Sequence, residues 1–229
     1  MPSRIFKPYI TAAAVLLSFS ISHWGLRADA EEPGDKSATG AKEQSGSDAE
    51  FDRANELEDA GKFKEALAVC DKLVESHPDS SVFFCMRGNM QIHLKHYNKA
   101  VADFTKSLEL DPNHVASYIG RSCCYLELRK FDKAVSDCDS GLKIDGRAGL
   151  YCNRGEARYK ERKYGGAIED LSKAIEMQSN LGEAYYYRSL AYAKAGKKSE
   201  ASADKEQYKK LSYRPRSNTQ LKGNALAKP

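Results

Sequence analysis

Apolar residues recur at helical spacing along most of the chain. From Phe63 to Val74 they stand three or four residues apart, so they share one face of a helix, and similar faces follow further along. The segment before Phe63 is mostly polar, with Glu50 where later helices carry an aromatic residue. A polar first helix is expected of a terminal unit that has no outer neighbour. The pattern predicts an all-α chain of short amphipathic helices.

The pattern repeats with a fixed period. The alanines that mark it lie 34, 34, 33 and 34 residues apart: Ala66, Ala100, Ala134, Ala167 and Ala201. They define five units, 47–80, 81–114, 115–147, 148–181 and 182–215. Position 8 of each unit is small: Ala54, Gly88, Ser122, Gly155 and Ser189. A small residue that meets alanine where two helices cross, with aromatic residues at positions 4 and 17, predicts an antiparallel helix hairpin in each unit.

This combination of period and residue classes resembles the tetratricopeptide repeat family over about three quarters of the chain. The resemblance implies a right-handed α-solenoid of helix-turn-helix hairpins. It also implies that the first helix of each hairpin lines a concave face, with positions 2, 5, 6, 9, 12 and 13 directed into it. The lysines by which some members hold acidic chaperone tails are absent, because position 5 reads Phe51, Cys85, Ile119, Cys152 and Tyr186.

Carried onto this sequence, the family positions give a candidate peptide-binding groove. Its residues are Phe51, Asn55, Met86, Asn89, His93, Ile119, Cys123, Asn153, Glu156, Tyr186, Tyr187, Leu190 and Lys194, with Asp59, Cys85, Glu127, Cys152 and Lys160 at further groove positions. Asparagine amides can both donate to and accept from an extended backbone, while Met and Tyr offer adaptable apolar contact.

Both ends of the chain differ from the repeats. Residues 1–30 begin with basic residues, continue with an apolar run from Ile10 to Ile21 and end with a small-x-small sequence at Ala30. A secretory signal peptide has these three features in this order. The apolar run is shorter than the ~20 residues that a membrane-spanning helix needs. The composition of residues 31–46 predicts a disordered linker, and Asp48 is the predicted N-cap of the first helix. Residues 216–229 are predicted to be a disordered basic tail, whose charges are too sparse for an arm that binds nucleic acid.

Position 7 is arginine in every unit, and position 23 is aspartate in the last four. Because an unpaired charge is costly to bury, we predict that each aspartate pairs with the arginine of its own unit, beginning with Asp103 and Arg87. Arg53 should then be unpaired, since Val69 occupies its position 23. Ion pairs inside each repeat explain the recurring arginines better than a phosphate-binding surface does.

The six cysteines admit two interpretations. Cys70 and Cys138 share position 24, while Cys85 and Cys152 share position 5 of the unit that follows. In an oxidising compartment, Cys70–Cys85 and Cys138–Cys152 bridges would join neighbouring repeats, although six cysteines allow fifteen pairings. The alternative is that these residues are small buried hydrophobes with free thiols.

Neither a catalytic nor a metal-binding pattern stands out. The chain has no glycine-rich phosphate loop, no G-x-S-x-G and no H-E-x-x-H, and its net charge of +4 is modest. We therefore expect no enzyme activity, no metal, no cofactor and no nucleic-acid partner. Function should lie in the surface: a monomeric, exported adaptor that binds a protein or peptide in its groove and leaves the membrane once the signal is cleaved. The alternative is a passive assembly component that self-associates through the solenoid ends.

Overall fold

The computed structural model describes residues 38–212, and the side chains of residues 47–212. This part of the chain folds into ten helices and no strand. The helices are α1 (Ala38–Asp59), α2 (Phe63–Ser76), α3 (Ser81–His93), α4 (Tyr97–Leu110), α5 (Val115–Glu127), α6 (Phe131–Leu142), α7 (Ala148–Lys160), α8 (Tyr164–Met177), α9 (Gly182–Lys194) and α10 (Lys198–Ser212). Each helix packs on the next along the chain, so the architecture is the predicted α-solenoid of hairpins.

The turn inside each hairpin has the same geometry in all five units. Position 15 adopts a left-handed backbone with φ between 59° and 79°, at Gly61, Lys95, Arg129, Arg162 and Gly196. In the second unit the Lys95 N–H donates to the Ile92 carbonyl at 2.8 Å and the His96 N–H to the Gln91 carbonyl at 2.8 Å. These two bonds close a Schellman cap, which satisfies carbonyls that the end of a helix otherwise leaves open. Gly occupies this position only in the two outer units, so the middle units tolerate a basic residue there.

Helix α1 starts earlier than predicted. Helix α1 begins at Ala38, so it includes residues 38–46 of the expected linker, and Asp48 lies inside the helix instead of capping it. The segment contains no proline, and five of its nine residues are Ala, Lys, Glu or Gln, which favour helix once the packed part of α1 has formed. In the third unit the missing residue shortens α6, which ends at Leu142, and the turn before α7 is not shortened. The proposed signal peptide, residues 31–37 and the basic tail lie outside the described residues.

The core of each hairpin lies where positions 8, 20 and 24 meet. Ala66, Ala100, Ala134 and Ala167 are fully buried. A β-carbon on Gly88 would lie 2.9 Å from the Phe104 ring, and one on Gly155 would lie 2.6 Å from Leu171 Cγ. The small residue at position 8 therefore makes room for the side chain at position 24 of its partner helix.

The first helices lie on the inner side of the curve. Helix α3 contacts α5, α5 contacts α7 and α7 contacts α9, whereas the second helices have no comparable contact with one another. Helices that stay close across neighbouring repeats mark the smaller radius of a solenoid. The concave face of the described chain is thus built from α1, α3, α5, α7 and α9, and we call this face the groove.

Candidate functional site: the concave groove

Nine of the predicted groove residues keep some access to solvent. Tyr186 and Lys194 are exposed, and the others are partly buried: Phe51, Asn55, Asn89, His93, Ile119, Tyr187 and Leu190. Tyr186, with 37% of its surface accessible, is the one exposed aromatic side chain among the described residues. The Oδ1 atom of Asn55 is buried and has no hydrogen-bond partner within residues 47–212. The accessible surface of the groove is thus apolar and amide-bearing, with its aromatic contact at the C-terminal end.

Six predicted groove residues are buried instead: Met86, Cys123, Asn153 and Glu156, and the further positions Cys85 and Cys152. Met86 packs with Ala54 and Cys70 in the core of the first repeats. Asn153 is 1% exposed, and its Nδ2 donates to the Ile119 carbonyl at 3.1 Å and to Ser122 Oγ at 2.9 Å. The described chain covers most of each of these side chains, and ligand contact by them stays a prediction.

A volume rule describes the residue at position 6 at the first two interfaces between repeats. Position 6 of one repeat packs against position 24 of the repeat before it. A β-carbon on Gly120 would lie 2.3 Å from the Phe104 ring, so the largest position-24 side chain is matched by glycine. Where position 24 is the smaller Cys70, the following position 6 is Met86, in the same core cluster. At these two interfaces the side chains at the two positions fill a shared space.

The predicted arginine–aspartate pairs are confirmed in the last four repeats. In each, arginine Nε and Nη2 donate to the two carboxylate oxygens at 2.7–2.9 Å, a bidentate arrangement. The pairs are Arg87–Asp103, Arg121–Asp137, Arg154–Asp170 and Arg188–Asp204. Arg53 is exposed, and within residues 47–212 it has no ion pair, as expected from Val69.

The same arginines also join consecutive repeats, which the sequence analysis did not anticipate. The Nη1 atom of each donates to position 25 of the preceding repeat at 2.6–3.3 Å; the acceptors are Asp71, Thr105, Asp139 and Ser172. The guanidinium carbon lies 5.5–5.9 Å from the centre of the position-4 ring, Phe84 in the second repeat. The polar residue that recurs at position 25 is the feature of the sequence from which these contacts between repeats could have been predicted. These arginines are structural and are not free to bind a ligand.

All six cysteines are free and buried. Cys70 and Cys85 belong to different core clusters, as do Cys138 and Cys152, and neither pair is bridged. Burial raises the pKa of Cys70 to about 12 and that of Cys85 to about 11, so both thiols stay protonated at neutral pH. A protonated thiol is a poor nucleophile and metal ligand. The structure therefore matches the interpretation of these residues as small core hydrophobes.

Three carboxyl groups lie near one another on the inner helices, and we call Glu127, Glu156 and Glu183 the acidic patch. Burial raises the pKa of Glu156 to about 7 and that of Glu183 to about 7, and it also raises the pKa of Glu127. The Tyr187 hydroxyl, the Lys160 ammonium and the other two carboxyls face Glu156. Oε2 of Glu183 is buried and has no hydrogen-bond partner among the described residues.

Replacing Glu156 with glutamine should change how stability depends on pH. Between pH 4.5 and about 7 the folded carboxyl keeps a proton that the unfolded chain has lost, so wild-type stability falls as pH rises through this window. We expect Glu156→Gln to be about 1–3 kcal/mol more stable than wild type at pH 8, with no gain at pH 4. Urea unfolding across this range measures the difference. Glu109→Gln, at a side chain that is 61% exposed, is the control and should parallel wild type, and parallel curves for Glu156→Gln would contradict the interpretation.

Five tyrosine rings form a continuous row beside the acidic patch. In order of contact they are Tyr164, Tyr159, Tyr187, Tyr186 and Tyr208, with centroids 5.1–5.9 Å apart. The Lys160 ammonium lies 5.2 Å from the Tyr187 ring centre. Only the two tyrosines on α9 were predicted for the groove from the sequence, because the row is assembled from four helices. The many tyrosines from Tyr151 onward are the feature of the sequence from which such a row could have been predicted.

The N-terminal part of the groove holds a histidine in a partly closed setting. The His93 ring stacks on Phe63 with centroids 3.9 Å apart, and its Nε2 lies 3.5 Å from Glu58 Oε1.

Within residues 47–212 no three His, Cys, Asp or Glu side chains are grouped so as to hold a metal ion. None of the ten described helices is long and apolar enough to cross a membrane.

Comparison with known proteins agrees with this geometry. Two tetratricopeptide repeat models match, at residues 82–114 and 152–207. A comparison with curated proteins gave no match.

Several solved structures share the fold. TTC0263, a thermophilic TPR protein of Thermus thermophilus, superposes with a TM-score of 0.64 at 16% identity, over 77% of this chain and 95% of that one. MamA residues 41 to the end, from Desulfovibrio magneticus RS-1, gives 0.61 at 17% identity, over 72% and 94%. Another MamA crystal structure gives 0.59 at 17% identity, over 80% and 97%. The family-model matches show that this chain contains tetratricopeptide repeats, and the period and the stacked hairpins extend the same fold along the described residues.

Proposed function

We propose that this protein is a scaffold that holds an extended segment of a partner protein in its groove. Tetratricopeptide repeats support a protein-interaction role, and the fold family is typically non-catalytic. The observation that carries the proposal is the exposed Tyr186 at the inner face of α9, in line with partly buried Asn89 and Asn55 further along the groove. A tyrosine ring supplies contact area at a low entropic cost, and the amides can bond to an extended backbone.

The compartment and the oligomeric state are part of the same proposal. The order of charge, apolar run and small residues in residues 1–30 supports export of the mature chain. Cleavage after Ala30 would remove Trp24, the single tryptophan, so mass spectrometry of the mature N-terminus and the loss of tryptophan emission test export together. The scaffold works as a monomer, and light scattering of the purified protein tests this against self-association through the solenoid ends.

Capture of a partner should depend on the groove. We compare wild-type protein with Asn89→Ala/Tyr186→Ala as baits in an extract of the native source, then purify the captured protein and measure its binding. Because a buried interface tyrosine contributes about 2 kcal/mol or more, the double variant should bind at least ~30-fold more weakly. Isothermal titration calorimetry with the purified partner gives the two dissociation constants.

A matched control lies at the edge of the second helices. Ile144 and Met177 occupy the same repeat position, and they are 41% and 47% exposed. The Ile144→Ala/Met177→Ala variant removes a similar apolar area outside the groove and should bind like wild type. Equal binding by the groove variant, or loss of binding only in the control, would move the interface to the outer surface.

A further inference from the structure

The described chain ends beside the acidic patch. A β-carbon on Gly182 would lie 3.7 Å from the Tyr208 ring and 4.0 Å from Leu211 Cβ, so the end of α10 packs on the start of α9. Glu183 is the next residue of α9, and Ser212 is the last described residue of α10. Residues 213–229 therefore start close to Glu183.

These last residues carry one sign of charge. Arg214, Arg216, Lys222 and Lys228 are present, and there is no aspartate or glutamate after Glu206. At about 3.3 Å per extended residue, Arg214 and Arg216 lie ~7–13 Å along the chain from Ser212. The whole segment is long enough to cross α9, α7 and α5, whose axes are spaced ~10 Å apart when helices pack.

In the acidic patch, Glu156 and Glu127 have hydrogen bonds with Tyr187 and Tyr97, whereas one oxygen of Glu183 has no partner in the described chain. Oε2 of Glu183 is buried and unbonded within residues 47–212, and the Glu183 residue is 8% exposed. The nearest cation to Glu156 is Lys160 Nζ at 3.8 Å from Oε1, beyond hydrogen-bond length. A buried carboxyl group with too few donors is a receptor for a basic side chain, and guanidinium supplies several donors in one plane.

We propose that the C-terminal segment, residues 213–229, lies in the groove of its own chain, with its basic side chains on Glu183, Glu156 and Glu127 and its start against Tyr186. The attachment at Ser212 holds the segment near the patch at an effective concentration in the millimolar range, which a free basic peptide would have to match. The segment is then an internal occupant of the groove and must leave before a partner binds there. This goes beyond the proposed function, because it holds whether or not a partner is ever captured.

Limited trypsin digestion of the full chain tests the contact. Trypsin cleaves after Arg216 and Lys222, and mass spectrometry follows each cut. Neutralising the patch with Glu127→Gln/Glu156→Gln/Glu183→Gln should raise both cleavage rates several-fold, because the basic segment loses its counter-charges. The control is Glu109→Gln/Glu176→Gln/Glu206→Gln on the second helices, where the side chains are 60–66% exposed; its cleavage rates should equal those of wild type.

A second measurement keeps the test independent of the patch variant's own stability. Arg214→Gln/Arg216→Gln lies beyond α10, and in amide NMR spectra it should shift the signals of Gly182, Glu183, Tyr186 and Tyr187. High salt should produce the same shifts, since salt screens the attraction between the basic segment and the acidic patch. Unchanged cleavage together with unchanged groove signals overturns the proposal, and cleavage rates that rise on dilution would assign the contact to a second copy of the chain instead. Neither readout involves the partner, so this inference and the proposed function fail separately.

Discussion

Replacing Asp170 with alanine should lower the free energy of unfolding by about 3–5 kcal/mol, the usual cost of leaving a buried ion pair without one partner. Its side chain is 5% exposed, and it accepts from Arg154 Nε and Nη2 and from Arg158 Nη1 at 2.7–2.9 Å. Of the four paired aspartates it is the one that serves two arginines. The substitution leaves both cations poorly compensated between α7 and α8. Chemical denaturation followed by circular dichroism measures the loss.

Asp139 provides a matched control on the same arginine. It accepts from Arg154 Nη1 at 2.6 Å, but its side chain is 45% exposed. Asp139→Ala should therefore cost no more than about 1 kcal/mol, as solvent-exposed pairs usually do. If the two variants were destabilised equally, the cost would not come from burial, and the structural role assigned to the arginine–aspartate pairs would be wrong.

Replacing Phe104 with alanine should cost about 3–5 kcal/mol, because the change opens a cavity where two repeats meet. The side chain is fully buried and reaches Gly88 in its own repeat and Gly120 in the next. No neighbouring side chain can expand into the vacated space at those two positions, since both are glycine. The same denaturation experiment measures the effect, and Val82→Ala, at a residue that is 36% exposed, should change stability by less than ~0.5 kcal/mol.

A compensating pair makes this prediction sharper. Phe104→Cys/Gly120→Met reproduces at the second interface the Cys70 and Met86 combination of the first. If position 24 and the following position 6 fill one space, the double variant should recover much of the stability lost in Phe104→Cys alone. Gly120→Met alone should be destabilising, because its β-carbon would lie 2.3 Å from the Phe104 ring. Additive losses in the double variant would contradict the volume rule.

The contacts inside one repeat were predictable from the sequence. A separation of 16 residues links position 7 to position 23 in every hairpin, so the Arg87–Asp103 pair and its counterparts could be predicted from spacing alone. The same holds for the helices themselves, since apolar spacing and small residues at position 8 recur five times. Their ends were harder to predict: Asp48 has the chemistry of an N-cap, yet nothing upstream stops the helix before Ala38.

The contacts between repeats were not predictable in this way. Asn153 has the residue type expected of a groove donor, but its amide is used by Ile119 and Ser122 of the preceding repeat. At the first two interfaces, the residue that fits at position 6 also depends on the volume at position 24 of the preceding repeat. Met86 is covered because Cys70 leaves it room.

By itself, the sequence determined the number of repeats, the hairpin in each and the ion pair in the last four, because all three follow from a period that local helix geometry converts directly into contacts. Only the tertiary structure decided which groove residues meet solvent, that the thiols are unbridged, and that tyrosines from four helices form one row beside three carboxyl groups. Those features depend on how side-chain volumes from different repeats share space, and that sharing exists only once the repeats are stacked.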